Sequence, residues 1–390
     1  MRAGDTIYMD YQASTPLDPS VLAVMEEAWR QDFANPHAAD HVLGWRALAS
    51  IESAAESIGA HLGVGGDHVV FTSGATEANW LAIFGNVHSN RTETDRIVIS
   101  AAEHKSVQTA AESVARQAGI ELLVLGVDAA GRVEAQQLHD AVKGCTAFVS
   151  IIAVGNEAGA ISDLALLREA CGEASLFHID ASQALAAVDP EALAPHADLI
   201  TLSSHKLYGP KGVGALIVAP DLRGLLKPLM PGGSQQGGIR PGTVPGPLIA
   251  GFSAAMSSIV KGSEDRARIS ALRDRFVSGL DARIGGVCLV GDRVHRHPGN
   301  ACVRIEGVDA SDLLSALQPR IAASTQSACT SGMVEPSAVL LAMGIPYEAA
   351  RECIRFSFGR FSDAPQVEEA IEVIAQAATD RRQSQSRIAG

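Results

Sequence analysis

From Val69 to Val218 short apolar runs alternate with longer amphipathic stretches. Val69–Thr72, Arg96–Ser100, Glu121–Val127, Ala147–Val154, Leu176–Ile179, Leu199–Leu202 and Ala215–Val218 read as strands. The segments after Glu77 and over Ser106–Gln117, Val133–Val142 and Asp163–Cys171 carry helical periodicity. Strand–helix alternation of this kind predicts a largely parallel sheet with helices on both faces. Two helices are expected ahead of it, Pro19–Gln31 and Gly44–Leu62; the second lines up Ala47, Ile51, Ala54, Ile58 and Leu62 on one face. A Gly- and Pro-rich loop, Gly232–Pro247, separates this region from a different pattern. There, helices at Pro247–Val260, Glu264–Arg283, Ser311–Leu317, Ser337–Met343 and Gln366–Asp380 enclose short strands near Val287–Val290 and Ala301–Ile305. The polar last ten residues are expected to fray.

In parallel sheets ligands sit beyond the carboxyl ends of the strands. Those ends carry Ser73-Gly74-Ala75-Thr76, Glu103-His104, Asn156-Glu157, Asp180-Ala181-Ser182-Gln183 and Ser203 to Lys206. The chemically competent residue types thus fall on one edge.

The length of 390 residues allows two or three domains, and 47% apolar with 19% charged residues is the balance of a soluble globular chain. A net charge of −13 argues against a surface built for nucleic-acid phosphates. No stretch resembles a signal peptide or a membrane span, which points to the cytoplasm. The six cysteines show no C-x-x-C pair, so neither zinc nor a disulfide framework is indicated. Five are expected in the apolar interior; Cys329 lies among small polar residues, in the composition of a mobile loop. His295 and His297 have a metal-like spacing but no third ligand nearby, so no metal site is assigned.

Lys206 ends an apolar strand beside His205, and a turn containing Gly209, Pro210 and Gly212 follows. Desolvation there favours the free amine, which can condense with a carbonyl; a plain surface lysine is the alternative. Ala75 and Thr76 open a helix whose N-terminus suits an anion, or else is an ordinary cap. Asp180 suits a protonated pyridine nitrogen, or a helix cap. His104 can stack on a flat ring or move a proton. Arg355 offers a fork for a carboxylate, or a structural ion pair. An exposed Cys329 is a nucleophile where its surroundings favour the thiolate.

The segments T-S-G-A-T-E-A-N, A-E-H-K-S-V, N-E-A-G-A-I-S-D, H-I-D-A-S-Q-A, S-S-H-K-L-Y-G-P-K-G-V-G, R-P-G-T, S-A-C-T-S-G and I-R-F-S-F-G-R occur here in the order found in cysteine desulfurases. The chain resembles that family, the NifS- and IscS-like pyridoxal-phosphate enzymes of aminotransferase class V, from about Tyr8 to Arg360. The resemblance implies an α/β fold of pyridoxal-phosphate fold type I. A large cofactor domain would span residues 15–262, and a smaller α+β domain would join residues 1–14 to 263–390. It implies a homodimer acting on L-cysteine, with no direct nucleic-acid or membrane partner. Sulfur would pass to an acceptor protein for iron–sulfur assembly, tRNA thiolation or DNA phosphorothioation; a selenocysteine lyase or an aminotransferase is the alternative.

By the same resemblance Lys206 is the Schiff-base lysine, Asp180 the partner of the pyridine nitrogen, Gln183 that of the ring oxygen, and His104 the residue stacked on the ring. Ala75, Thr76, Ser203 and His205 match phosphate ligands, and Thr243 matches one supplied by the other subunit. Asn35, Asn156 and Arg355 match positions around the substrate carboxylate, and Cys329 the sulfur-accepting nucleophile. The chain departs from the family in having Pro241 for a usual serine and Gln326 for a usual loop glycine.

Overall fold

The computed structural model describes residues 1–89, 94–260, 263–325, 328–330 and 333–389. Its centre is a seven-stranded sheet. In chain order the strands are β1 (Val69–Thr72), β2 (Arg96–Ser100), β3 (Glu121–Leu125), β4 (Ala147–Ile152), β5 (Leu176–Asp180), β6 (Leu199–Ser203) and β7 (Gly214–Val218). Across the sheet they run β1-β7-β6-β5-β4-β2-β3. The β6–β5–β4–β2–β3 pairings are parallel, and β7 alone runs against both of its neighbours.

Alternate residues of each strand face opposite sides, so each side buries its own core. Val70, Ile97, Ile99, Phe148 and Leu216 pack against helices Ala75–Val87 and Lys105–Ala118. Phe71, Val98, Val149, Phe177 and Ile217 pack on the other side, with residues of helices Val42–His61 and Gly246–Val260. Most of these strands are buried along their whole length, which is why they read as continuous apolar runs rather than alternating ones.

A second sheet is antiparallel: Val287–Leu289, Asn300–Ile305 and Cys353–Ser357, with the middle one flanked by the other two. Phe276, Phe356 and Phe358 meet in its core, with ring centroids 5.0 and 5.3 Å apart. Ile7 and Met9 belong to the same core, because strand Thr6–Tyr8 pairs with Ile321–Ala322. The chain's beginning therefore packs with its end, a contact that no local pattern announces.

Three expectations change. Ala328–Thr330 and Met333–Glu335 form a two-stranded antiparallel pair where a loop was expected; Gln326 lies outside the described residues. The last helix runs Ala364–Ala389 instead of fraying, and Arg382 ties it to the carbonyls of Ile284, Gly285 and Glu306. Cys288 is exposed, not interior, because the strand's period of two turns it outward between Val287 and Leu289; Cys145 is half-buried. His297 is buried, accepts from the Gly299 N–H at 3.1 Å and is pushed down to about 3 by burial.

Candidate active site

β6 ends in Ser203, and a single 3-10 turn, Ser204–Lys206, aims Lys206 past the sheet edge. Its Nζ donates to the main-chain oxygens of Gln12 (2.6 Å) and Ala13 (2.8 Å). Burial, with the nearby Arg355 cation, lowers the amine to about 8, against the opposing pull of Asp10 and Asp180. Roughly a tenth of the amine is therefore neutral at pH 7, far more than for an ordinary lysine.

Lys206 opens into a cavity of about 720 Å³. Its walls include Ala75, Thr76, His104, Asn156, Asp180, Gln183, Ser203, His205 and Arg355, all singled out from the sequence. These residues come from six chain segments; five follow strands of the central sheet, which brings them to one edge, and Arg355 arrives on the antiparallel strand Cys353–Ser357. Asn35 and Thr243 line a separate cavity of about 260 Å³, with Trp29, Phe33 and Pro36. Of Cys329 the backbone is placed, opposite Val334 in the short hairpin, and its side chain lies outside the described residues.

One end of the cavity suits an anion. The helix Ala75–Val87 begins there after Gly74, whose φ of 151° with ψ of −179° is a conformation reserved for glycine. A Cβ on Gly214 would come within 2.6 Å of the Leu202 oxygen and 2.8 Å of Gly74 Cα, so close approach requires glycine there, whereas Gly74 is required by its φ. Glu77 in the first turn accepts from the Ser73 N–H at 2.6 Å and from Arg240 Nε at 2.8 Å, which holds the Arg240 loop beside this end. The arginine and these hydrogen bonds overcome burial and lower the Glu77 carboxyl.

Asp180, the last residue of β5, is buried. Its Oδ1 accepts from the Ser182 N–H (2.9 Å) and hydroxyl (2.6 Å), and its Oδ2 from Asn79 Nδ2 (2.9 Å). Asn79 also donates to Ser106 Oγ at 3.0 Å, and that hydroxyl lies 2.8 Å from His104 Nδ1. The Ser106 backbone N–H donates to the same ring nitrogen at 3.1 Å. Nδ1 is therefore an acceptor, and the hydrogen of the neutral ring belongs on Nε2. Burial lowers the His104 pKa, assisted by Lys206 and opposed by Asp180, and so favours that neutral form. His205, 3.1 Å from Ser203 Oγ, is lowered to about 4 by burial and by Lys206 and Lys211.

Arg355, in the middle strand position of Cys353–Ser357, donates to the Asn156 carbonyl (2.6 Å) and to Asp10 Oδ1 (2.8 Å). Its Nε is buried without a partner, leaving a donor for an incoming acceptor. Below the floor, His178 joins Ser150 Oγ (2.8 Å) to Thr201 Oγ1 (2.9 Å) across three adjacent strands. Glu103 is wholly buried, accepts from the Ile152 N–H at 2.6 Å, and is raised well above a normal carboxyl by burial and by Asp180.

Residue reading of the sequence missed Asn79, Ser106, Gln12 and Asp10. Asn79 had a signal, since it lies one helical turn beyond Thr76 on the same face. Gln12 had none: its position depends on Asn300 and Ser357, which bond its side chain and its N–H.

The aminotransferase class-V family model matches residues 7–369. A cysteine desulfurase IscS of Rickettsia africae (strain ESF-5) is 38% identical over 370 residues, covering 94% of this chain and 90% of the relative.

The chain belongs to the cysteine desulfurases of aminotransferase class V.

Among solved structures, a NifS-like protein superposes with a TM-score of 0.87 at 28% identity, over 96% of this chain and 99% of that one. A structure described as SspA in complex with cysteine gives 0.78 at 32% identity, over 90% and 99%. In this desulfurase no group of three or more His, Cys, Asp and Glu side chains could hold a metal ion among the described residues, and no helix there is long and apolar enough to cross a membrane.

Proposed function

We propose that this protein converts L-cysteine to L-alanine and passes the sulfur, as a persulfide on Cys329, to an acceptor protein. The observation that carries the reading is the Lys206 amine, lowered to about 8, in one cavity with the Asp180 carboxylate and the Arg355 fork. The residues fit pyridoxal 5'-phosphate: an anion end at Ala75, Thr76, Ser203 and His205, a carboxylate for a pyridinium nitrogen, an amine for the aldehyde, and Gln183 beside it. When bound, that group supplies an electron sink.

The chain's own residues do the rest. Arg355 and Asn156 bind and orient the substrate carboxylate. Lys206 carries the proton of the substrate's α-carbon. His104, with its hydrogen on Nε2, would lie against the flat ring of that group and serve the substrate thiol. The thiolate of Cys329 bonds to the substrate sulfur as the carbon–sulfur bond breaks, and the remaining fragment takes up a proton to become alanine.

The active unit is a homodimer. Leu22, Trp29, Phe33, Val42, Leu43 and Trp45 are exposed on or beside the helices Pro19–Gln31 and Val42–His61, apolar side chains that a second copy would cover. Trp29 and Phe33 line the same cavity as Asn35 and Thr243, so a partner docked here receives Thr243 at its anion end. Residues 15–262 form the cofactor domain, and residues 1–14 with 263–390 the domain that brings Cys329. The acceptor serves iron–sulfur assembly, tRNA thiolation or DNA phosphorothioation, within the cytoplasm.

Cys329→Ser tests the reading. The variant keeps the yellow absorbance of the bound cofactor and forms no alanine from cysteine. Turnover by the variant at the parent rate would remove the persulfide from the mechanism.

A further inference from the structure

The lysine-bearing turn is held from outside, by the segment that precedes the first helix. Thr15 Oγ1 donates to the His205 carbonyl at 2.9 Å and accepts from the Tyr208 N–H at 2.7 Å. The Thr15 N–H donates to the same His205 oxygen at 3.0 Å, and the Asp18 N–H to the Tyr208 carbonyl at 2.9 Å. These contacts bracket Lys206 on both sides. They also hold Tyr208 at a φ of 64°, a conformation costly for a residue with a side chain. Further along the same segment, Gln12 and Ala13 present the two carbonyls that receive Nζ.

Hydrogen counting makes the clamp consequential. A neutral amine has two hydrogens and an ammonium three, enough for both carbonyls. Condensation with an aldehyde forms a carbon–nitrogen double bond, breaks the carbon–oxygen double bond and releases the oxygen as water with both amine hydrogens. The nitrogen then carries no hydrogen, or one when protonated, so at least one carbonyl loses its donor. The Gln12 oxygen keeps Gln183 Nε2 at 2.8 Å. Once Nζ lets go, the ties left between this segment and the turn are those of Thr15 and the Asp18 N–H.

We propose that Thr15 is a positioning residue for Lys206, one that holds the lysine turn in place when Nζ is condensed and its own hydrogen bonds are given up. This rests on the reading of Lys206 as the residue that captures the cofactor aldehyde. None of the charged side chains facing the amine, those of Arg355, Asp10, Asp180, His104 and His205, bonds the Thr15 hydroxyl, which meets His205 only at its main-chain oxygen.

The test compares the parent with Thr15→Val, which keeps the shape and backbone N–H, and Thr15→Ser, which restores the hydroxyl. Each is stripped of cofactor and titrated with pyridoxal phosphate. Affinity is read from absorbance, and the rise in Tm on loading from calorimetry. Losing a hydroxyl that makes two part-buried hydrogen bonds predicts about 10-fold weaker capture by the valine variant, a smaller rise in Tm on loading, and recovery of both by serine. Equal affinity in parent and valine variant, or an equal drop in Tm with and without cofactor, overturns the proposal. Borohydride reduction and peptide mapping of the parent keep the two readings apart: no adduct on Lys206 would sink the cofactor assignment itself.

Discussion

Asn79 Nδ2 lies 2.9 Å from Asp180 Oδ2, across 101 positions of chain, and the same amide reaches Ser106 Oγ at 3.0 Å. One buried side chain thereby orients both the carboxylate at the cavity floor and, through Ser106, the ring of His104. Asn79→Ala should leave Asp180 short of a donor and free the His104 ring to turn. Losing a buried bond to a charged group costs about 1.5–3 kcal/mol, so cofactor affinity should fall roughly 10- to 100-fold. Absorbance titration checks it, and an unchanged affinity would remove Asn79 from the site.

Lys206 should capture pyridoxal phosphate with a pH dependence centred near 8, not near the 10.5 of an ordinary lysine. The neutral amine is the reactive form, so capture rises with pH and levels off above the midpoint. Arg355→Met removes a cation that depresses the amine and releases Asp10, whose pull is opposite. The midpoint should therefore move up. Stopped-flow absorbance across pH 6–10 reads the shift.

Acid should destabilise the fold through its buried neutral histidines. His178 is buried and neutral, lowered by burial from 6.5 to about 4, and His297 to about 3. The unfolded chain takes up these protons first. Their contribution to stability is thus complete above pH 6.5 and is lost progressively as pH falls, down to about 4 for His178 and about 3 for His297. For His178 alone the loss is roughly 3 kcal/mol at most. Urea midpoints at pH 7, 5.5 and 4.5 should decline stepwise, and His178→Gln should flatten the slope.

Trp29→Glu combined with Phe33→Glu places two charges on the exposed apolar face. The parent should sediment as a dimer and the variant as a monomer. Because Thr243 then reaches no partner, cofactor affinity should drop about tenfold, the value of one hydrogen bond to an anion. A monomeric variant that binds cofactor as the parent does would detach Thr243 from the site.

Most of the central architecture was legible because its signals are local. Buried strands such as Ala147–Ile152 and Leu199–Ser203 must be continuously apolar, and helices such as Pro19–Gln31 announce themselves by a cap and a leading proline. Strand direction then brings Thr76, His104, Asp180 and Lys206 to one edge, so their shared location could be read from the order of segments, while their roles came from the family resemblance.

What only the tertiary structure decided is which distant groups hold them. The strand Cys353–Ser357, the pairing of Thr6–Tyr8 with Ile321–Ala322, the carbonyls of Gln12 and Ala13 on Lys206, and the Ser337 hydroxyl on the Glu157 carboxylate join residues far apart in the chain. Periodicity reports which face of an element is dry; it carries no record of the partner that dries it. The amine of Lys206 is visible in the sequence, but its lowered pKa belongs to the burial and to the Arg355 charge that folding brings beside it.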